Sequence, residues 1–122
     1  MKTIFVVDDN ESNRLAAKTA LKDTYTIYAI PSAQQMFKLL EKIKPCLILL
    51  DIEMPEMGGF EAIKILKSNS ETKDIPVIFL SASTVSEIKT EGLSLGAVDY
   101  ISKPFEPDIL LRRIGERIGA NI

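Results

Sequence analysis

The sequence contains no histidine. That excludes Ser-His-Asp and Cys-His catalysis and any zinc site that needs imidazole. A single cysteine, Cys46, rules out an internal disulfide, which suits the cytosol. No apolar stretch approaches the roughly 20 residues of a membrane span, so no membrane partner is expected. Neither sign of charge is in large excess. The net charge is −2, and no general attraction to nucleic acid follows from it. Linkers, internal repeats and low-complexity runs are also missing. The first residues enter a short strand pattern directly, so no secretory leader is expected. What remains is a chain of 122 residues, 46% hydrophobic and 26% charged, which fits one ordinary globular domain with one core.

The most informative residue present is Asp51. It ends the apolar run Cys46-Leu47-Ile48-Leu49-Leu50 and is followed by Ile52-Glu53-Met54-Pro55. Such a run reads as a strand buried on both faces, and a carboxylate at its C-terminal end sits where α/β proteins bind ligands. Asp8 and Asp9 end another apolar run, Thr3-Ile4-Phe5-Val6-Val7. If the two strands are neighbours, three acids converge, and that much like charge calls for a cation or a chemical reason.

Five strand candidates alternate with five helical ones: Thr3–Val7, Tyr25–Ala29, Cys46–Leu50, Val77–Leu80 and Asp99–Ser102. The helical stripes are Ala17/Ala20/Leu21, Ala33/Met36/Phe37/Leu40/Ile43, Phe60/Ile63/Leu66, a weaker Val85/Ile88/Leu95, and Leu110/Ile114/Ile118. Gly92 is expected to weaken the fourth helix, whereas Pro107 suits the first turn of the fifth. Strict alternation implies a doubly wound α/β fold, a parallel sheet with helices on both faces. The last helical pattern runs almost to Ile122, so no output domain is expected after it.

Four features fall at strand ends: Asp8-Asp9, Asp51, Ser81-Ala82 and Lys103-Pro104-Phe105. With Met54-Pro55 after the acid and Tyr100 before the lysine, the chain resembles the response-regulator receiver domain of two-component signalling. The resemblance covers essentially residues 1–122. It implies a (βα)5 fold, flavodoxin-like, with a five-stranded parallel sheet in 2-1-3-4-5 order. It implies that Asp51 is the phosphoacceptor nucleophile. Asp8, Asp9, Asp51 and the backbone carbonyl of Glu53 would hold Mg²⁺. Lys103 and Ser81 would bind phosphoryl oxygens. Ser81 and Tyr100 would form the switch, Tyr100 turning inward on phosphorylation and reshaping the surface of helix 4, strand 5 and helix 5. Glu53, able to pair with Lys103 at rest, and Ser83 would modulate phosphoryl lifetime. The implied partners are a sensor histidine kinase or histidine phosphotransfer protein and a downstream target or output domain, in the cytoplasm. Direct nucleic-acid binding is not expected, and a phosphorylation-dependent dimer through the last helix is left open.

Each feature also has a plainer reading. Asp8 with Glu11 fits a helix capping box. Asp51 alone could be a loop acid, and Lys103-Pro104 a turn, where the family usually has a cis bond. Tyr100 could be a half-buried packing residue, Cys46 a small hydrophobe, and Arg112, Arg113 and Arg117 a solvated face. Gly58-Gly59 stands where the family often has Asp or Asn before glycine, and glycine is an acceptable N-cap. A phosphatase with an aspartate nucleophile would want Asp-x-Asp, but the chain reads Asp51-Ile52-Glu53. A flavin carrier would want a Ser/Thr/Gly-rich phosphate loop where Asp8 and Asp9 stand. A receiver that binds partners without phosphorylation is the remaining alternative.

Overall fold

In the computed structural model, which describes residues 1–83 and 85–118, five strands alternate with five helices. The order is β1 (Thr3–Val7), α1 (Glu11–Leu21), β2 (Thr26–Ile30), α2 (Ala33–Leu40), β3 (Leu47–Asp51), α3 (Gly59–Ser68), β4 (Val77–Ser81), α4 (Ser86–Ser94), β5 (Asp99–Ser102) and α5 (Pro107–Ile118). All pairings are parallel, and the sheet order is β2-β1-β3-β4-β5. This is the fold expected from the strand-helix alternation and the resemblance. The expected run of the last helix toward Ile122 lies outside the described residues. Among the described residues no helix is long and apolar enough to cross a membrane.

The strand alternation divides the core in two, because successive side chains leave a strand on opposite faces. Phe5, Val7, Ile48, Leu50, Val77 and Phe79 pack with α2 and α3 through Met36, Ala62, Ile63 and Leu66. Ile4, Val6, Leu47, Leu49, Ile78 and Leu80 pack on the other face with α1 and α5 through Ala17, Leu21, Leu110 and Ile114. Both faces are covered, which is why the central strands are apolar without alternation.

Several local expectations shift. β2 and β3 lie one residue later than their apolar runs suggested. Cys46 acts as the connector into β3, its N–H donating to the Thr3 carbonyl at 2.8 Å. Asp51 and Ser81 belong to strands β3 and β4, since their backbones stay in the ladder opposite Leu80 and Ser102. The capping box at Asp8 and Glu11 does not form. Helix α1 starts at Glu11, too late for it, and Asn10 is the cap, its side chain accepting from the Asn13 N–H at 3.0 Å. Val85 is not core but the exposed N-cap of α4, while Ile88 and Leu95 pack inward. Arg113 is not merely solvated, for its Nη1 donates to Asp99 Oδ1 at 2.7 Å and ties α5 to β5.

Gly92 proves to be a packing requirement. A methyl group there would come within 2.8 Å of Phe79 Cδ2, so α4 can lie on the sheet only with a bare Cα. Gly115 on α5 has open space in the same position. We therefore expect Gly92→Ala to destabilise the fold by about 1–3 kcal/mol through overpacking, although alanine is the better helix former. Gly115→Ala should stabilise it by up to about 1 kcal/mol. Urea unfolding of both variants checks the contrast, and stabilisation by Gly92→Ala would contradict this packing.

Candidate functional site

The sheet delivers one polar group from each of four neighbouring strand ends. Asp8 follows β1, Asp51 ends β3, Ser81 ends β4 and Lys103 follows β5. Parallel register places these ends side by side, so residues far apart in sequence meet. Lys103 Nζ donates to Asp8 Oδ2 and to Asp51 Oδ1, each at 3.0 Å. Both carboxylates are buried, and the lysine side chain is only 12% exposed. Asp9 sits exposed at the rim. Lys103 is aimed by its own backbone, whose N–H donates to the Ser81 carbonyl at 2.8 Å before a cis bond to Pro104.

Two further residues support the acids. Arg14 of α1 donates from Nη1 to the Asp8 carbonyl at 2.8 Å, and Asp8 Oδ1 accepts from the Asn10 N–H at 2.9 Å. Nothing in the sequence pattern had singled out Arg14, because a lone arginine on a helix face carries no spacing signal. After β3 the chain folds back so tightly that the Gly59 N–H donates to the Ile52 carbonyl at 2.8 Å. A methyl group at Gly59 would lie 2.5 Å from the Asp51 carbonyl oxygen, so this glycine sets the close approach of α3 to the acid. Gly58 caps α3 without a side-chain bond, and the helix forms as expected.

Burial is the largest influence on Asp51 and raises its carboxyl from the ordinary 3.8 to about 7. The Lys103 hydrogen bond opposes that rise, while the charges of Asp8 and Glu53 add to it. On Lys103 burial works against the ammonium, but the bonds to Asp51 and Asp8 outweigh it and hold the pKa above its usual value. The site thus has a reluctant carboxylate facing a firmly charged lysine.

Beside this pair, the Ser81 hydroxyl is engaged on both sides. It donates to Glu53, whose two carboxylate oxygens each lie 3.2 Å away, and accepts from the Ser83 N–H at 3.0 Å. Glu53 therefore pairs with Ser81 rather than with Lys103, which is already held by the two aspartates. Tyr100 is buried, its hydroxyl donating to the Ser83 carbonyl at 3.0 Å. It is buried rather than half-buried.

One carboxylate oxygen from each of Asp8, Asp9 and Asp51 lies within 4.8 Å of the others. Three hard oxygen donors, with no sulfur or imidazole among them, fit a hard divalent cation such as Mg²⁺. A groove of about 640 Å³ between the β2 edge and α2, lined by Tyr28, Ile30, Gln35, Lys38 and Leu39 among others, contains none of these residues.

Comparison with known proteins decides the family. Residues 4–115 match the response regulator receiver domain. The chain belongs to this family. The receiver is 40% identical over 112 residues to a probable cyclic di-GMP phosphodiesterase of Vibrio cholerae, covering 92% of this chain and 25% of that protein. It is 40% identical over 114 residues to the phosphate regulon transcriptional regulatory protein PhoB of Pseudomonas aeruginosa, covering 93% of this chain and 50% of PhoB. The chain thus spans half or less of the length of these two relatives. The structure of the chemotaxis protein CheY4 of Vibrio cholerae superposes on it with a TM-score of 0.89 at 31% identity, over 97% of this chain and 98% of that one. The receiver is accordingly a module of two-component signalling.

The raised Asp51 pKa has a direct consequence for stability. A folded pKa above the unfolded one gives a contribution that is fully present below about pH 3.8 and is lost as pH rises through about 7. Above that range the ionised side chain burdens the native state. Without divalent cations, Asp51→Asn should melt at a higher temperature than wild type near roughly pH 8, and the difference should narrow toward roughly pH 5. Thermal unfolding in a chelator at both pH values measures this. An advantage that grew toward acid would contradict it.

Proposed function

We propose that this receiver accepts a phosphoryl group on Asp51 from the phosphohistidine of a sensor histidine kinase or a histidine phosphotransfer protein. The observation that carries the reading is the Lys103 ammonium, 3.0 Å from both Asp8 and Asp51 at the sheet edge. An Asp51 carboxylate oxygen attacks phosphorus, a new O–P bond forms, and the donor N–P bond breaks to release the imidazole. Asp8, Asp9, Asp51 and the Glu53 backbone carbonyl are the groups that would hold Mg²⁺. Bound there, the ion offsets repulsion between the carboxylates and the incoming phosphoryl group. Lys103 exchanges its bond to Asp51 for one to a phosphoryl oxygen, and Ser81 donates to another. The gain from these residues lies in placement and charge.

The same contacts supply the switch. Ser81 is linked through Ser83 to Tyr100, so a change at the phosphoryl group reaches the surface of α4, β5 and α5. That surface addresses a downstream target or an attached output domain, and Glu53 and Ser83 tune the phosphoryl lifetime. The domain, residues 1–122, works in the cytoplasm as a signalling module with slow self-dephosphorylation rather than as a metabolic enzyme.

The test is intact mass after incubation with acetyl phosphate. Wild type should gain one phosphoryl group only with Mg²⁺, and Asp51→Asn should gain none. Lys103→Ala should slow uptake by on the order of a hundredfold or more, the scale seen when one preorganised charge-stabilising donor is removed. Uptake that survives Asp51→Asn would overturn the assignment of the acceptor.

A further inference from the structure

Glu53 has a contact that its place in the chain did not foretell, and its meaning rests on the phosphoacceptor reading above. The residue lies two positions beyond Asp51, in an exposed part of the β3–α3 loop, yet its carboxylate turns back over the site. Both of its oxygens lie 3.2 Å from Ser81 Oγ. A serine hydroxyl has one proton to donate. Here the Glu53 carboxylate accepts that one hydrogen bond, while the Ser83 N–H donates to a lone pair of the same hydroxyl oxygen at 3.0 Å. Ser81 is wholly buried, so water cannot serve as an alternative partner. The hydroxyl that a phosphoryl group on Asp51 would require is therefore already committed.

The occupant is also of the wrong charge to stay. A carboxylate and a phosphoryl oxygen cannot share one donor at close range without strong repulsion. One must leave as the other arrives. We propose that Glu53 is a built-in competitor with the phosphoryl group for the Ser81 hydroxyl, occupying that donor before phosphorylation and being displaced by it. Glu53 thus sets the rate of phosphoryl uptake through Ser81, and uptake replaces one anion by another at that hydroxyl.

A double-mutant cycle tests the proposal. Initial rates of phosphorylation by acetyl phosphate with Mg²⁺, read by intact mass, are compared for wild type, Glu53→Ala, Ser81→Ala and the double variant. With Ser81 present, Glu53→Ala should raise the rate roughly threefold to tenfold, the scale of displacing one hydrogen bond of ordinary net strength. In the Ser81→Ala background the gain should vanish. An equal gain in both backgrounds would mean that Glu53 acts by general repulsion, and the proposal fails. No gain with Ser81 present also sinks it. Melting temperatures of the same four proteins without Mg²⁺ or donor read the contact itself. Non-additive shifts support it, and additive shifts overturn it whatever the rates. If wild type takes up no phosphoryl group while the shifts are non-additive, the phosphoacceptor reading has failed and the contact has not.

Discussion

One ammonium group governs this molecule. Lys103 stands between Asp8 and Asp51, two carboxylates buried at the end of the sheet. Without it, two like charges would share a space closed to water, and each would carry a large desolvation penalty. With it, they are held in place but left poised, and Asp51 still gives up its proton only near neutrality. The pairing also fixes the relation of β1, β3 and β5, because a side chain from beyond one edge strand reaches across β4 to the two strands past it.

The arrangement follows from the sheet. Parallel strands all end on the same side, so a polar residue that closes a buried apolar strand faces the other strand ends. Asp51 and Ser81 keep their backbones in the ladder while their side chains leave the core, and this gives rigid aim without an unsatisfied main chain. Gly59 lets α3 start against the Asp51 backbone, and Gly92 lets α4 lie on Phe79. Both glycines serve the site from outside it, one by proximity and one by seating the helix beneath the Tyr100 surface.

Much of this was legible in residue order. Apolar runs closed by Asp8, Asp51, Ser81 and Lys103 announced a parallel sheet with a polar end, and both the fold and the meeting of these residues agree. Periodicity could find β2 and β3 only to within a residue, because ladder bonds rather than hydrophobicity decide whether Cys46 or Asp51 belongs to a strand. The capping box expected at Asp8 and Glu11 was misplaced, because residue type sets a preference for a cap and only the backbone decides that α1 starts at Glu11 behind Asn10. The partners of Glu53, Arg14 and Tyr100 were beyond reach. Their contacts depend on rotamers and on loop paths that bring together residues as far apart as Glu53 and Ser81, 28 positions in sequence. Gly92 misled because helix propensity counts only local strain and says nothing about a phenyl ring on the sheet below.

Lys103 and Asp8 are 95 positions apart. A chain emerging from the ribosome therefore presents its first acids long before the lysine that compensates them exists. Until β5 and the residue after it have been made, the first four strands must either tolerate two uncompensated carboxylates at the sheet end or leave that end unclosed. High contact order of this kind delays closure of the site until the residue after β5 has been made. A chain that loses Lys103 loses the internal counter-charge to Asp8 and Asp51, so the two ends of this domain depend on each other across nearly its whole length.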